Sequence, residues 1–216
     1  MKFSHIQDET LETIARNIIG GYDERLLYKP SPTPIEAIME RAYGLTLDYQ
    51  HIRNNGRILG ETVFTDAMVA IYDNEGEGYK LIHVKAGTVL LDLSLLECST
   101  DGRLRFTCAH ELAHWVIDKE HFLSLGETAA MTGDAPICSK VGMMLERQAN
   151  RLAARILMPK CTLKKAYHQA WNGLPMRRKD ASGVKQLARQ LADVYQVSKQ
   201  TMEIRIKELG LGLAAI

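Results

Sequence analysis

No run of eighteen apolar residues occurs anywhere in the chain, so the sequence offers no membrane-spanning helix. The first residues, MKFSHIQDET, turn polar and acidic where a secretory leader would carry an apolar stretch, and no leader is expected. None of the four cysteines forms a C-x-x-C pair, which excludes zinc ribbons and thioredoxin-type redox motifs. Strong charge of one sign is absent too. The net charge of +1 excludes a polycation or an acidic tail protein. Internal repeats and low-complexity segments are also missing, so solenoids and disordered arrays are excluded. These absences leave a globular protein with free thiols, expected in a reducing cytoplasm.

What is present is an ordinary apolar fraction, 46%, in 216 residues, enough for one domain with a small appendage. Charge is distributed unevenly. Lys160 to Ile216 holds 11 Lys and Arg against 4 Asp and Glu, while the preceding residues are net acidic. Such asymmetry hints at an anionic partner for the tail.

Periodicity divides the chain into a helical start, a strand-rich middle and a helical end. Leu11, Ile14, Ala15 and Ile18 recur at helical spacing over Asp8 to Ile19. KPSPTP, at 29–34, reads as a linker because proline cannot continue a helix. Ile35 to Tyr43 reads as a second helix stopped by Gly44. From Leu45 to Leu96, the runs LTLDYQHI, VFTDAMVAIYD, YKLIHV and TVLLDLSLL predict a small, mostly antiparallel sheet of three or four strands. NNG (54–56) and NEGEG (74–78) are its expected hairpin turns. Helices are then predicted over 104–117, 141–157, 184–195 and 198–209, with a polar loop over about 118–140. The apolar face of the 141–157 helix consists of Val141, Met144, Leu145, Ala149, Leu152, Ala153 and Ile156.

Within the first of these late helices lies RFTCAHELAHWV. Residues four apart share a helix face with Cβ atoms roughly 5–6 Å apart, so His110 and His114 can ligate one metal ion. Glu111 is rotated about 100° from His110. It cannot ligate in the same way, but it can act as a general base toward a water at the metal, the arrangement used to hydrolyse peptide bonds. Cys108 points away from His110 on the same helix and reads as core rather than ligand.

A catalytic zinc needs a third protein ligand. The extended H-E-x-x-H-x-x-G-x-x-H pattern fails, because Ile117 and Glu120 stand where glycine and histidine belong and His121 comes one place late. Glu120, Glu127, Asp134, Cys138 and Glu146 remain as candidates. Glu146 has the best platform, a helix beside an apolar face, whereas most of the others lie in the loop. Asn150, one turn further on, is placed to hydrogen-bond a ligand histidine.

RFTCAHELAHWVI followed by ERQANRLAARILMP resembles the paired motif helices of the ImmA/IrrE-type metallopeptidases. LLDLSL (90–95) is similar to the strand before that family's active-site helix, and PTPIEAIMERAYGLTL (32–47) to its opening. LADVYQVSKQTMEIRIKELGL (191–211) is similar to its closing helices. The resemblance implies an α+β, zincin-like fold with a gluzincin-type site: His110, His114 and Glu146 as metal ligands, Glu111 as base, and zinc or manganese as the ion. It also implies a protein substrate, a helix-turn-helix repressor cut at one site. Leu152 departs from the phenylalanine usual there, and the segment before Pro30 is not covered.

The expected organisation is an N-terminal helical extension over 1–30, a metallopeptidase domain over 31–160 and a helical region resembling a helix-turn-helix over 161–216. In that region Val197 and Ser198 form the turn, Ser198 is an N-cap, and Lys199, Gln200, Arg205 and Lys207 could meet DNA. A DNA-binding regulator with a structural or vestigial metal site is therefore the competing reading. The sequence leaves the oligomeric state open.

Overall fold

The structure, a computed structural model, describes residues 5–53, 56–73, 75–76, 78–97, 101–124, 140–175 and 180–211. It is a mixed α+β protein with small sheets and several helices. The chain forms two compact units. One takes in Ile35–Ala153 with the N-terminal residues up to Ile6; the other joins Gln7–Pro34 to Ala154–Ile216.

In the first unit the strands are β1 (Thr46–Gln50), β2 (Gly60–Thr62), β3 (Ala67–Asp73), β4 (Gly78–Val84) and β5 (Thr88–Asp92). They form two sheets rather than one. In the three-stranded sheet β5 is central, parallel to β1 and antiparallel to β2. All five residues of β5, TVLLD, are buried, and its three successive apolar residues Val89, Leu90 and Leu91 suit a strand covered on both faces. β3 and β4 form a separate antiparallel hairpin whose register ends at Asp73↔Gly78. The hairpin expected at NEGEG is therefore present, although Asn74 and Glu77 lie outside the described residues.

Two of the three pairings are antiparallel, as expected, but the strands lie in two sheets and β1 pairs in parallel. That strand skips its sequence neighbours and pairs with β5, so NNG closes no hairpin; Asn54 and Asn55 also lie outside the described residues. Alternation reveals which face of a strand is apolar but not which strand it pairs with. β2 is an addition to the expected strands, too short at three residues for alternation to mark it. The inner face of the β3–β4 hairpin, with Val69 and Val84, closes onto Ile52, Ile58, Val63 and Leu90 as one core.

α2 (Ile35–Ala37) continues as a π-helical turn (Ile38–Ala42), and α3 (Ser94–Glu97) follows β5. α4 (Asp101–Ile117) is the helix that carries HELAH, and it starts three residues before the predicted point. It packs on β2 and β5 of the three-stranded sheet. Its Cys108, Ala109, Leu112 and Ala113 are completely buried. Burial pushes the Cys108 thiol well above its ordinary pKa, as its core reading demands. α5 (Lys119–Ser124) occupies the start of the predicted loop, the rest of which, 125–139, lies outside the described residues. α6 (Lys140–Leu157) buries Leu145, Ala149, Leu152, Ala153 and Ile156, but Val141 is exposed, so the apolar face begins one turn later than expected.

The second unit contains α1 (Asp8–Asp23) with its 3-10 turn (Glu24–Leu27), the last turn of α6, α7 (Lys160–Asn172), α8 (Ala181–Tyr195) and α9 (Lys199–Glu208). The N-terminal helix, for which the sequence suggests no function, shares a core with the C-terminal helices. Arg205, 1% exposed, donates to Glu12 at 2.6 Å and to the Met158 carbonyl at 3.3 Å. Arg155 reaches Glu12 at 3.3 Å and also pairs with Asp8. Ser198 caps α9 as expected, accepting from the Thr201 N–H at 3.0 Å. Among the described residues no helix is long and apolar enough to cross a membrane.

Candidate metal centre

α4 presents His110 and His114 one turn apart, and α6 brings Glu146 to them. The three side chains form a group whose potential ligand atoms all lie within 4.8 Å of one another. The two Nε2 atoms are 3.0 Å apart, and their rings meet edge to face. One carboxylate oxygen of Glu146 is 3.3 Å from His110 Nε2, and the other is 3.3 Å from His114 Nε2. Metal bonds of about 2.0–2.1 Å in a tetrahedron would put ligand atoms roughly 3.3 Å apart. The observed spacings therefore fit one small ion held by nitrogen and oxygen.

The hydrogen bonds point the same way. His114 Nδ1 lies 2.7 Å from Asp118 Oδ2. Asp118 is 2% exposed, and a buried carboxylate can only accept, so Nδ1 carries a proton and Nε2 is the nitrogen turned to His110 and Glu146, with a lone pair whenever the ring is neutral. Lone pairs and a carboxylate that converge in this way need a cation between them. In the metal-free protein a proton supplies that charge. Burial opposes a charge on His114, but Asp118 and Glu146 outweigh it and push its pKa up to about 10. Burial opposes the charge on Glu146 as well, yet His110 and His114 hold its pKa well below the usual carboxylate range.

Exposure is graded across the group. His114 is 3% exposed at its side chain, His110 16% and Glu146 28%. The group is therefore more open on the side of His110 and Glu146 than at His114.

Glu111 stands apart from the three. It is 5% exposed and points to β2, where Thr62 Oγ1 lies 2.7 Å from its Oε2 and 3.2 Å from its carbonyl oxygen. Gly60 lies beside the same carboxylate. A Cβ on Gly60 would fall 2.6 Å from Glu111 Oε1, closer than atoms can approach. The glycine is needed for space, since its backbone is not in the left-handed region.

Among the described residues, His110, His114 and Glu146 are the only such group. Glu120 is exposed, and His121 meets the Phe122 ring edge to face. Glu127, Asp134 and Cys138 lie outside the described residues. Asn150 does not reach a ligand histidine; its Nδ2 donates to the Glu146 carbonyl at 2.8 Å. That expectation is corrected, because an asparagine finds the carbonyl four residues back on its own helix closer than a ring on another helix. The supporting role falls to Asp118, which is absent from the residues expected at the site. Its signal is the i, i+4 spacing from His114, obscured because Asp118 opens a polar stretch that reads as loop.

Known proteins bear on this geometry. No curated protein matches the chain. Among solved structures, a Mycobacterium tuberculosis transcriptional regulator is similar in fold, with a TM-score of 0.51 at 14% identity over 92% of this chain. The match takes in 46% of that protein, so the chain spans less than half of its length. The IrrE N-terminal-like domain model of Peptidase M78 matches residues 92–207, more than half of the chain, from the end of β5 through both motif helices into α9. With its two histidines on α4 and its glutamate on α6 inside that span, the chain belongs to the Peptidase M78, IrrE N-terminal-like family.

Proposed function

We propose that this protein is a zinc-dependent endopeptidase that cuts a peptide bond in a protein substrate, a helix-turn-helix transcriptional repressor. The observation that carries the reading is the convergence of His110, His114 and Glu146 at ligand spacing, with a fourth group, Glu111, buried beside them but held elsewhere.

In this reading His110 and His114 give Nε2 lone pairs and Glu146 a carboxylate oxygen to the ion. Zinc bound there would acidify a water and polarise the scissile carbonyl. Manganese would serve the same role with a harder ligand preference. Asp118 holds the His114 ring in its ligating tautomer. Glu111 accepts a proton from the water that adds to the carbonyl carbon, then delivers a proton to the departing amine nitrogen as the C–N bond breaks. The second proton of the water also ends on the amine, so the products are a carboxylate and an ammonium, and Glu111 ends as it began.

The substrate assignment rests on the family resemblance of the two motif helices. A repressor encoded beside the gene is the natural first substrate. Incubated with it, the wild-type protein should yield two defined fragments. Glu111→Gln should retain metal and fold but yield none. Unchanged cleavage by Glu111→Gln overturns the mechanism.

A second reading, direct DNA binding, draws support from the name of the structural neighbour, a transcriptional regulator, and from the pairing of α8 with α9. Other observations count against it. Arg205, one of the four residues expected at DNA, is buried in an ion pair with Glu12, and Lys199 lies 3.6 Å from Glu203. A mobility shift at two salt concentrations tests it: phosphate contacts weaken steeply with salt, and no salt-sensitive shift removes the reading.

A further inference from the structure

A glutamate next to two ligand histidines has two possible fates. Its carboxylate can remain free to handle protons, or it can become another ligand and fill the position that a substrate needs. We infer that Thr62, with the gap at Gly60, decides between them: Thr62 is a positioning residue that keeps Glu111 off the metal. The inference rests on the metallopeptidase reading of His110, His114 and Glu146.

The geometry is specific. Thr62 is completely buried and its hydroxyl has one proton to give. Two acceptors on Glu111 lie in reach, the carboxylate Oε2 at 2.7 Å and the carbonyl oxygen at 3.2 Å. The shorter contact is charge-assisted and takes the proton. That anchors one carboxylate oxygen to β2. The other, Oε1, lies 2.6 Å from where a side chain at position 60 would have its Cβ, too close for both. The two residues are on the same face of β2, with Glu61 between them on the other face, as period-two alternation requires. β2 is itself held by pairing with the fully buried β5, at Gly60↔Leu91 and Thr62↔Val89. A strand of only three residues thus supplies both a donor and a cavity for a single side chain on α4. Hydrogen-bond donors on a rigid strand are a more exact support than a loop could give.

The inference predicts a change in metal coordination, which Co2+ reports through its visible spectrum without any substrate. Full-length wild type, Thr62→Ser, Thr62→Val, Glu111→Gln and the double variant Thr62→Val/Glu111→Gln are each titrated with Co2+ alone. Thr62→Ser keeps the hydroxyl and should match the wild type. Thr62→Val is nearly the same shape but cannot donate; its freed carboxylate should swing to the ion, shifting the spectrum and changing Co2+ affinity by roughly tenfold, the scale at which supporting groups act on metal sites. In the Glu111→Gln background the same Thr62 change should do nothing, because no carboxylate remains to move. Should Thr62→Val not fold, Gly60→Ala displaces the same carboxylate and serves in its place.

A Thr62→Val spectrum and affinity that coincide with wild type overturn the inference. So does a Thr62→Val change that persists with Glu111→Gln, because the threonine would then act through packing alone. Failure of the metal reading looks different. In that case wild type itself would bind no Co2+, or Glu146→Ala would bind it equally well.

Discussion

Asp118 Oδ2 accepts the Nδ1–H of His114 at 2.7 Å, with both side chains buried to 3% exposure. The pair ties the C-terminal end of α4 to the candidate metal centre, and it sets which nitrogen of His114 faces Glu146. Removing the carboxylate should therefore loosen the ligand as well as the helix end. Asp118→Ala is expected to lower zinc affinity by about 10–100-fold, measured by competition with a chromophoric chelator. An affinity equal to wild type would show that His114 needs no such support.

Glu146 lies on a different helix from the two histidines, so its loss should separate metal binding from the fold of α4. Glu146→Ala is expected to lose most of its zinc on dialysis while keeping its circular dichroism spectrum. Full zinc content in the variant would place the third ligand elsewhere.

The same contacts make stability depend on pH when the metal is removed. The ordinary pKa of His114, 6.5, is raised to about 10 in the fold: burial works against the charge, and Asp118, then Glu146, override it. A raised pKa means that the folded state holds the proton more tightly than the unfolded chain does. That stabilisation is complete below about 6.5 and is lost as pH rises through about 10. The shift on Glu146 is downward from 4.5, so its contribution is present above 4.5 and is lost on acidification. Unfolding of chelator-treated protein should therefore show the advantage of wild type over Asp118→Asn shrinking between pH 6.5 and 10. A constant difference across that interval would refute the linkage.

Arg205 and Glu12 form a buried ion pair in the second unit, at 1% and 8% exposure. Removing Arg205 leaves the buried Glu12 carboxylate with Arg155 alone, 3.3 Å away, at a cost of about 3 kcal/mol, the lower end for a broken buried pair. Arg205→Ala should lose that much in urea unfolding. The joint change Arg205→Met with Glu12→Leu should lose less, because the carboxylate goes with its arginine and Arg155 keeps Asp8 and Glu208 as counter-ions. Equal losses would mean that the arginine acts through its volume.

The metal helix is legible in the residues alone. HELAH states its spacing directly, and on a helix sequence spacing is spatial proximity. Glu146 is within reach of the same reasoning because the partner motif also lies on a helix, and the family match over 92–207 spans both helices. The helical start and end and the strand-rich middle follow from periodicity for the same reason. Other features depend on contacts far apart in the chain. Nothing local marks β1 as the parallel partner of β5, 42 residues on. Nothing local marks Glu12 as the counter-ion of Arg205, 193 residues away. Thr62 and Glu111 are 49 residues apart, and neither carries a motif that names the other.

The sequence by itself determined which side chains can hold a metal, because two helices present them at fixed angular intervals. Tertiary structure alone decided what keeps those side chains in order. The short strand β2, which no propensity predicts, acquires its place from pairing with a buried neighbour, and with that place its hold on Glu111.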